Sequence, residues 1–246
     1  MTFGGVTALD TVDLVVREGE IVALIGPNGA GKTTVFNVVT GVFEPDDGDV
    51  RLRGASIAGH RRYEITRAGV ARTFQNIRLF ADMSAIENVM VGADARHKTS
   101  VAGAIARTRR HRAEEREGRT RAVELLDLVG IGRRGEEAAR NLPYGDQRRL
   151  EIARALATGP QLLLLDEPAA GFNPREKRGL IELIRRIRDT GYTVLLIEHD
   201  MGLVMGMSDR VVVLDFGRKI ADGPPGAVQQ DQRVINAYLG VPADAP

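Results

Sequence analysis

The residues between positions 26 and 34 have the types and the spacing of a phosphate-binding loop. They are Gly26, Pro27, Asn28, Gly29, Ala30, Gly31, Lys32, Thr33 and Thr34, which fit the pattern G-x-x-x-x-G-K-[ST]. Glycines let the backbone turn so that successive N–H groups point at phosphate oxygens, and a helix start behind them adds partial positive charge. In such a loop Lys32 bridges the β- and γ-phosphates, Thr33 binds Mg²⁺ and Thr34 contacts a phosphate. The strand and helix patterns around the loop disfavour the alternative, a glycine-rich turn with an exposed lysine.

Acidic residues and a histidine follow two apolar runs later in the chain. Asp166 and Glu167 come directly after Leu162–Leu165, and His199 comes shortly after Val194–Ile197. Open α/β sheets bind ligands at the carboxyl ends of their strands, so these side chains are expected to lie beside the phosphate loop. There Asp166 can hold Mg²⁺ through water, Glu167 can polarise an attacking water and His199 can sense a γ-phosphate. Taken alone, a carboxylate pair after a strand is weakly specific and could cap a loop, and a single histidine is more often structural.

Short apolar runs predict the strands that position these residues. They lack alternation and are rich in leucine and β-branched residues, which is typical of parallel strands covered by helices on both faces. The runs are Ile21–Ile25, Leu162–Leu165, Val194–Ile197 and Val211–Leu214. Between them lie helical patterns, one of which begins at Asn173 as N-cap, with Pro174 at N1 and Glu176 completing a capping box. The alternation predicts an α/β fold.

Two segments differ from this alternation. Residues 43–59 contain the turn PDDGDV followed by RLRG, which predicts a small antiparallel hairpin beside the main sheet. From residue 82 to residue 158 strand patterns disappear. We therefore predict an α/β core made of residues 1–81 and 159–246, with residues 82–158 inserted as a helical subdomain.

Helical patterns fill the inserted segment. Ser84 and Glu87 fit a capping box, and one apolar helical face is formed by Val123, Leu125, Leu126 and Val129. The span Arg107–Arg121 carries seven arginines interleaved with glutamates. Charge pairs at i,i+4 spacing are Arg110/Glu114, Glu115/Arg119 and Glu117/Arg121. This pattern favours a solvated helix over a partner-binding patch.

Composition excludes several classes of protein. The 246 residues carry 34 Lys and Arg against 33 Asp and Glu, so no global field favours nucleic acid or anionic lipid. The sequence has no cysteine, which rules out disulfide and thiol chemistry. No apolar run approaches the roughly 20 residues that cross a bilayer, and the first residues do not resemble a signal peptide. We expect a soluble cytosolic protein that reaches a membrane only through a partner.

Residues 142–168, LPYGDQRRLEIARALATGPQLLLLDEP, carry the most specific pattern of the chain. They resemble the signature and the Walker B segment of ATP-binding-cassette (ABC) ATPases. The order of phosphate loop, Gln75, signature, LLLLDEP and EHD matches that family over essentially the whole chain. The resemblance implies a P-loop NTPase core of ABC ATPase type, ATP and Mg²⁺ as cofactors, and hydrolysis of ATP. It also implies catalytic roles for Glu167, His199 and Gln75, a metal contact for Thr33, Gln75 and Asp166, and adenine stacking on Phe3.

The N-terminus is short for this family. A further stretch usually precedes the aromatic residue at the position of Phe3 and forms the first strand. The sequence therefore predicts a missing sheet edge or a late start codon. A second possibility for Phe3 is a structural role covering the edge of the core.

A narrower resemblance rests on RTFQNIRLF, RRLEIARALA, DEPAAGFNP, EHDM and AYLG. Together these segments resemble the ATP-binding subunit of high-affinity branched-chain amino-acid importers. Importers of urea or other amides, and some lipid exporters, share much of the pattern. The resemblance implies a second ATPase subunit, identical or a sibling, two transmembrane permease subunits, an extracytoplasmic substrate-binding protein, and a place at the cytoplasmic face of the membrane. Two alternatives remain. The first is a soluble ABC ATPase acting on ribosomes or DNA, which the single phosphate loop disfavours. The second is a non-hydrolysing regulatory subunit, which the full set of catalytic residues disfavours.

The signature departs from the usual LSGGQ. It consists here of Leu142, Pro143, Tyr144, Gly145, Asp146 and Gln147, with Pro143 in place of serine, Tyr144 in place of glycine and Asp146 in place of glutamine. In the family this segment contacts the ATP of the other subunit. Pro143 lacks a hydroxyl and an N–H, and Asp146 brings negative charge unless it turns away. We hypothesise that the signature of this subunit binds the partner's ATP more weakly but usably, and that the partner is a sibling ATPase. The alternative is that backbone N–H donors fully replace the contacts that Pro143 cannot make. Asn173 replaces an aspartate of the family. Its capping role accounts for it without a function, and a second role as a hydrogen-bonding group across a dimer interface stays open.

Overall fold

The computed structural model describes residues 1–94 and 108–239. Within them the strands are β1 (Thr2–Phe3), β2 (Val6–Thr7), β3 (Ile21–Ile25), β4 (Arg51–Leu52), β5 (Ala55–Ser56), β6 (Val70–Arg72), β7 (Leu162–Asp166), β8 (Thr193–Ile197), β9 (Arg210–Asp215) and β10 (Arg218–Gly223). The α-helices are α1 (Lys32–Val39), α2 (Arg62–Ala68), α3 (Ala85–Ala93), α4 (Arg109–Leu128), α5 (Tyr144–Ala157), α6 (Pro174–Asp189), α7 (Met201–Met207), α8 (Pro225–Gln229) and α9 (Gln232–Leu239). Two 3₁₀ turns lie at Gly132–Arg134 and Ala139–Asn141.

A six-stranded sheet lies at the centre, in the order β10-β9-β3-β8-β7-β6. All neighbours are parallel except β10, which runs antiparallel to β9. Every residue of β3 and of β8 is buried. Along β3, Ile21, Ala23 and Ile25 belong to one apolar cluster and Val22 and Leu24 to another. The sheet is therefore covered on both faces, and all four predicted strands are confirmed.

The sheet order explains how distant sequence segments meet. Strands β3, β8 and β7 are consecutive neighbours, with Leu24 beside Ile197 and Ile197 beside Asp166. Because the three strands are parallel, the residues that follow them leave the sheet at the same edge. The phosphate loop, His199 and Glu167 all follow these strands. The topology thus places the predicted groups side by side.

Within the described residues, the segment from residue 82 to residue 158 contains helices, 3₁₀ turns and irregular connections, and its β-contact is an isolated bridge between Ser84 and Ala138. The capping box of α3 is confirmed: Ser84 Oγ accepts from the N–H of Glu87 at 3.2 Å, and Glu87 Oε2 accepts from the N–H of Ser84 at 2.7 Å. Its main helices, α3, α4 and α5, pack on one another. The exact limits of the inserted subdomain remain a prediction.

Helix α4 corrects part of the predicted apolar face. Leu125, Leu126 and Val129 are buried as predicted, but Val123 is 42% exposed and Ala122 is buried instead. The reason is helical spacing, since positions 122, 125, 126 and 129 lie on one face and position 123 is turned by about 100° from it.

The predicted charge pairs on α4 are only partly confirmed. Arg110 and Glu114 pair at 3.0 Å. Arg119 instead pairs with Glu136, and Arg121 pairs with Glu124, so the other two predicted pairs are wrong. Arg119 reaches a partner beyond the helix, which spacing along α4 does not reveal, whereas Arg121 pairs within α4 at i,i+3 rather than i,i+4 spacing. Arg107 lies outside the described residues.

The small antiparallel hairpin predicted in residues 43–59 is confirmed as β4 paired with β5. The sequence did not reveal the N-terminal pair β1–β2 or the sheet strands β6 and β10. Strands β1, β2 and β6 have only two or three residues, too few for a continuous apolar run even though Val70 and Ala71 of β6 are buried. Strand β10 lies at the sheet edge and is mostly unburied, so its residues form no apolar run. Residues 8–20 form no strand. In the described ranges, we find no helix with the length and apolar character of a membrane span.

Candidate functional site

The phosphate loop joins β3 to α1 through a backbone path that requires glycine. Gly26 has φ 148°, and a Cβ at that position would lie 2.0 Å from the carbonyl oxygen of Leu214. Gly31 has φ 101°, and a Cβ there would lie 2.7 Å from the carbonyl oxygen of Ala8. Both contacts are too close for any side chain. The loop can therefore approach a ligand with bare backbone, as phosphate binding requires.

Lys32 is 6% exposed and lies across this loop. Its Nζ donates to the carbonyl oxygens of Gly26 at 2.7 Å and Pro27 at 2.8 Å. Burial lowers the pKa of Lys32, and the negative charge of Glu167 opposes that shift. The ammonium group thus sits in a position where phosphate oxygens can replace the two carbonyls as its acceptors.

A cleft of about 220 Å³ opens beside the loop. It brings together segments that are far apart in sequence. Its lining consists of Ala8, residues 28–34 of the loop, Glu167 and His199.

Glu167 contacts both of the other predicted catalytic residues, Gln75 and His199. Its Oε2 accepts from Nε2 of Gln75 at 2.9 Å, and its Oε1 lies 2.7 Å from Nε2 of His199. The backbone of Glu167 has φ 48°, a left-handed conformation that non-glycine residues rarely adopt, and its N–H donates to the carbonyl of Ile197 at 3.0 Å. Such conformations are concentrated at functional sites. The fold therefore gathers the three side chains, whose individual roles remain predictions.

Arg72 is a site residue that the sequence did not single out. It lies at the end of β6, where its Nη2 pairs with Oδ2 of Asp166 at 2.7 Å, and both side chains are 9% exposed. Its Nη1 donates to Oδ1 of Asn37 in α1 at 2.8 Å. The guanidinium lies 5.3 Å from the ring centre of Phe36 and 5.6 Å from that of Phe74. Arg72 thus holds the predicted metal-binding carboxylate against the helix that follows the phosphate loop.

The side chains predicted to bind Mg²⁺ offer hydroxyl, amide and carboxylate oxygens from Thr33, Gln75 and Asp166. The amide nitrogen of Gln75 is used by Glu167, so its oxygen remains available as an acceptor. Oδ1 of Asp166 has no donor among residues 1–94 and 108–239. Mg²⁺ prefers such oxygen ligands and usually keeps water and phosphate ligands as well. The described part of the chain contains no group of three or more Asp, Glu, His or Cys side chains that could hold a metal ion by themselves. The donor set fits Mg²⁺ that is bound together with a nucleotide.

The segment Leu142–Gln147 forms the start of helix α5, with Pro143 as N-cap. The carbonyl of Pro143 accepts from the N–H of Asp146 at 2.9 Å and of Gln147 at 3.0 Å. The N–H groups of Tyr144 and Gly145 have no acceptor within the described ranges. Free donors at a helix N-terminus attract anions. The first turn of α5 can therefore contact a phosphate even without the serine.

The charge of Asp146 is compensated inside the chain. Its Oδ2 lies 3.2 Å from Nε of Arg134, and its side chain is 23% exposed. It therefore turns away into an ion pair rather than capping its own helix. The pairing compensates the charge of Asp146, so the lost donors of Pro143 are the remaining difference from the usual signature. Whether the signature is weakened or backbone donors compensate for Pro143 stays a prediction.

Two further predicted residues have structural partners. Asn173 Oδ1 accepts from the N–H groups of Arg175 at 2.9 Å and Glu176 at 3.0 Å, which confirms the predicted cap of α6. Phe3 is 41% exposed and packs edge-on against Phe43, with ring centres 5.0 Å apart. Phe3 is not among the residues that line the cleft. Its contact with adenine stays a prediction.

Comparison with known families agrees with this geometry. The profile of the family described as ABC transporter matches residues 9–170. A second profile, described as branched-chain amino acid ATP-binding cassette transporter, matches residues 218–244. The last residues of that match lie outside the described ranges, as does the final glycine of the AYLG segment.

Individual relatives match over nearly the full length. The chain is 48% identical over 241 residues to the high-affinity branched-chain amino acid transport ATP-binding protein LivG of Salmonella typhimurium, covering 98% of this chain and 94% of that protein. It is 47% identical over 241 residues, with the same coverage, to the corresponding protein BraF of Pseudomonas aeruginosa.

Solved structures give the same match in three dimensions. The ADP conformation of MJ1267, an ATP-binding cassette of an ABC transporter, superposes with a TM-score of 0.84 at 30% identity, covering 98% of this chain and 95% of that one. The dimeric structure of MJ0796, a bacterial ABC transporter cassette, gives a TM-score of 0.74 at 26% identity and covers 89% of this chain and 91% of that one.

Proposed function

This chain belongs to the ABC transporter family and is an ATPase of that family, and we propose that it powers an importer of branched-chain amino acids. The observation that supports ATP hydrolysis is the meeting of Glu167 with Gln75 and His199 beside the phosphate loop. The substrate is inferred from two relatives, LivG and BraF, whose names specify branched-chain amino acid transport. Nothing in the nucleotide site itself selects an amino acid, because that selection belongs to other subunits.

In the proposed reaction the chain acts mainly by positioning and by charge. The loop N–H groups and Lys32 hold the β- and γ-phosphates and stabilise the charge that develops on them. Glu167 accepts a hydrogen bond from the attacking water and orients it in line with the γ-phosphate. Gln75 and His199 hold Glu167 from both sides, and His199 also contacts the γ-phosphate. Mg²⁺, when bound with ATP, neutralises phosphate charge, and Thr33, Gln75 and Asp166 would hold it.

The proposed active unit contains a second ATPase subunit, because one chain supplies only half of each ATP site. Residues 142–147 face the ATP held by the phosphate loop of the partner, and the free N–H groups of Tyr144 and Gly145 supply donors to it. The second subunit is a sibling or an identical copy. We assign the core to residues 1–81 and 159–246, and the helical subdomain that carries this segment to residues 82–158.

The remaining partners lie in the membrane and beyond it. Two permease subunits anchor the ATPase pair at the cytoplasmic face, and a substrate-binding protein delivers the amino acid from the other side. Closure of the ATPase pair on ATP drives the permeases, and hydrolysis resets them.

Restoring the usual signature tests whether its altered form limits activity. We expect the Pro143→Ser, Asp146→Gln variant to hydrolyse ATP at least several-fold faster in the assembled transporter. The reason is that a charge-assisted donor contributes about 1.5–3 kcal/mol. The measurement is steady-state phosphate release in proteoliposomes. Asp146→Gln alone is the control and changes the rate little, because Asp146 is paired with Arg134. An unchanged rate in the double variant would reject the weakened-signature hypothesis.

A pull-down from membranes tests the assembly. Tagged Glu167→Gln protein with ATP and Mg²⁺ is expected to be trapped in its closed complex and to recover two permease-like proteins and a second ATPase subunit. The matched control is Lys32→Ala with Glu167→Gln, which lacks the phosphate contact and recovers less of the second subunit. Recovery of ribosomes or DNA instead would overturn the transport assignment.

A further inference from the structure

Helix α5 carries two oppositely charged side chains that are buried in the protein. Arg148 is 4% exposed and Glu151 is 2% exposed, and Nη1 of Arg148 lies 3.4 Å from Oε2 of Glu151. Burying two ions costs free energy that their attraction recovers only when further hydrogen bonds complete the pair. Burial also raises the pKa of Glu151. The other partners of the pair therefore decide what it does.

Those partners are backbone atoms of the segment that carries Gln75. Nη1 of Arg148 donates to the carbonyl oxygen of Phe74 at 2.8 Å, and Nη2 donates to the carbonyl oxygen of Gln75. Glu151 Oε1 accepts from the N–H of Phe74 at 3.4 Å. Phe74 and Gln75 follow β6 and belong to no helix or strand, so these bonds satisfy backbone groups that no sheet ladder satisfies. Helix α5 thus holds the backbone from which the Gln75 side chain reaches Glu167.

Tyr144 extends the same contacts to the first turn of α5. Nη2 of Arg148 donates to the Tyr144 hydroxyl at 3.1 Å, and the Tyr144 ring lies edge-on to Phe172 with ring centres 6.5 Å apart. Gly171 has φ 80°, and a Cβ there would lie 3.1 Å from the Tyr144 ring. A glycine at position 144, as in the usual signature, could make neither contact. The tyrosine therefore connects Arg148 to the loop that precedes α6.

We propose that Arg148 is a positioning residue that ties the backbone of Gln75 to the first turns of α5, so that the two segments move together. The inference rests on the proposed function, in which Gln75 serves the ATP of its own subunit and residues 142–147 serve the ATP of the partner. Binding of one ATP is then transmitted through Arg148 to the surface that closes on the other. A guanidinium suits this task, because its fixed, planar N–H groups bind two successive carbonyls at once, whereas an ammonium is a point charge.

Hydrogen exchange on the full chain tests this link. The parent protein carries Glu167→Gln, so that ATP is retained, and exchange is followed with and without ATP and Mg²⁺. In the parent we expect ATP to slow exchange at least tenfold both at residues 74–76 and at residues 144–148. In Arg148→Met with Glu151→Met, which removes both buried charges together, ATP should still slow residues 74–76 but change residues 144–148 less than twofold.

Two variants keep the test decisive. Arg149→Met removes the neighbouring arginine, which donates to the carbonyl of Val129 rather than to the Gln75 segment, and should behave like the parent. Arg148→Lys keeps the buried charge pair, so the variant should fold. The factor by which ATP slows exchange at residues 144–148 should nevertheless be at least fivefold smaller than in the parent. Retention of the full effect in the Arg148 variants, or its loss in Arg149→Met, would overturn the inference. A parent that does not bind ATP would instead overturn the proposed function.

Discussion

Replacing Glu167 with Gln is expected to lower the rate of ATP hydrolysis at least 100-fold while leaving ATP binding within about threefold of the unchanged protein. A positioned base contributes about 10²–10⁴-fold to such reactions. Gln has the same shape and can still pair with Gln75 and His199, but it cannot accept a proton from water. The phosphate loop and Lys32 are untouched, so the affinity for ATP remains. The measurements are phosphate release and equilibrium binding of a fluorescent ATP analogue.

The control for this prediction is another glutamate changed in the same way. Glu182 lies exposed on α6, away from the cleft, and Glu182→Gln should leave both quantities unchanged. Hydrolysis by Glu167→Gln at the rate of the unchanged protein would contradict the catalytic assignment. A large loss of ATP binding would show instead that Glu167 acts mainly in holding the nucleotide.

Replacing Arg72 with Met is expected to lower the free energy of unfolding by about 3–5 kcal/mol, because the change leaves the carboxylate of Asp166 buried without its cation. Nε of Arg72 is buried without an acceptor in the described part of the chain, so removing it offsets a little of the loss. The expected value therefore lies toward the lower end of that range. Urea denaturation followed by circular dichroism measures the change.

An exposed ion pair of the same length provides the matched comparison. Arg53 and Glu18 also lie 2.7 Å apart, but their side chains are 62% and 75% exposed. Arg53→Met should therefore cost no more than about 1 kcal/mol. The variant Arg72→Met with Asp166→Asn should recover part of the stability, because the uncompensated charge is gone. Equal losses for the Arg72 and Arg53 variants would contradict the role that we assign to burial.

Much of the fold and most of the site follow from local sequence. The strands β3, β7, β8 and β9 were predictable because strands covered on both faces become continuous apolar runs. The caps at Ser84 and Asn173 were predictable because capping depends on residues three or four positions apart. The strands β6 and β10 were not predicted. Strand β6 has only three residues, and the edge strand β10 is mostly unburied, so neither forms a continuous apolar run.

What the sequence by itself determined is the chemistry: a phosphate loop, carboxylates after one strand and a histidine after another, which parallel topology brings together. The tertiary structure alone decided which charges are partners across distant parts of the chain. Arg72 pairs with Asp166, Arg134 pairs with Asp146, and Arg148 donates to the backbone carbonyl of Gln75, which lies 73 positions away. An arginine looks the same in a sequence whether it is exposed or buried, and no spacing rule connects it with a distant acceptor. Burial and long-range contacts give such a residue its role, and both exist only once the chain has folded.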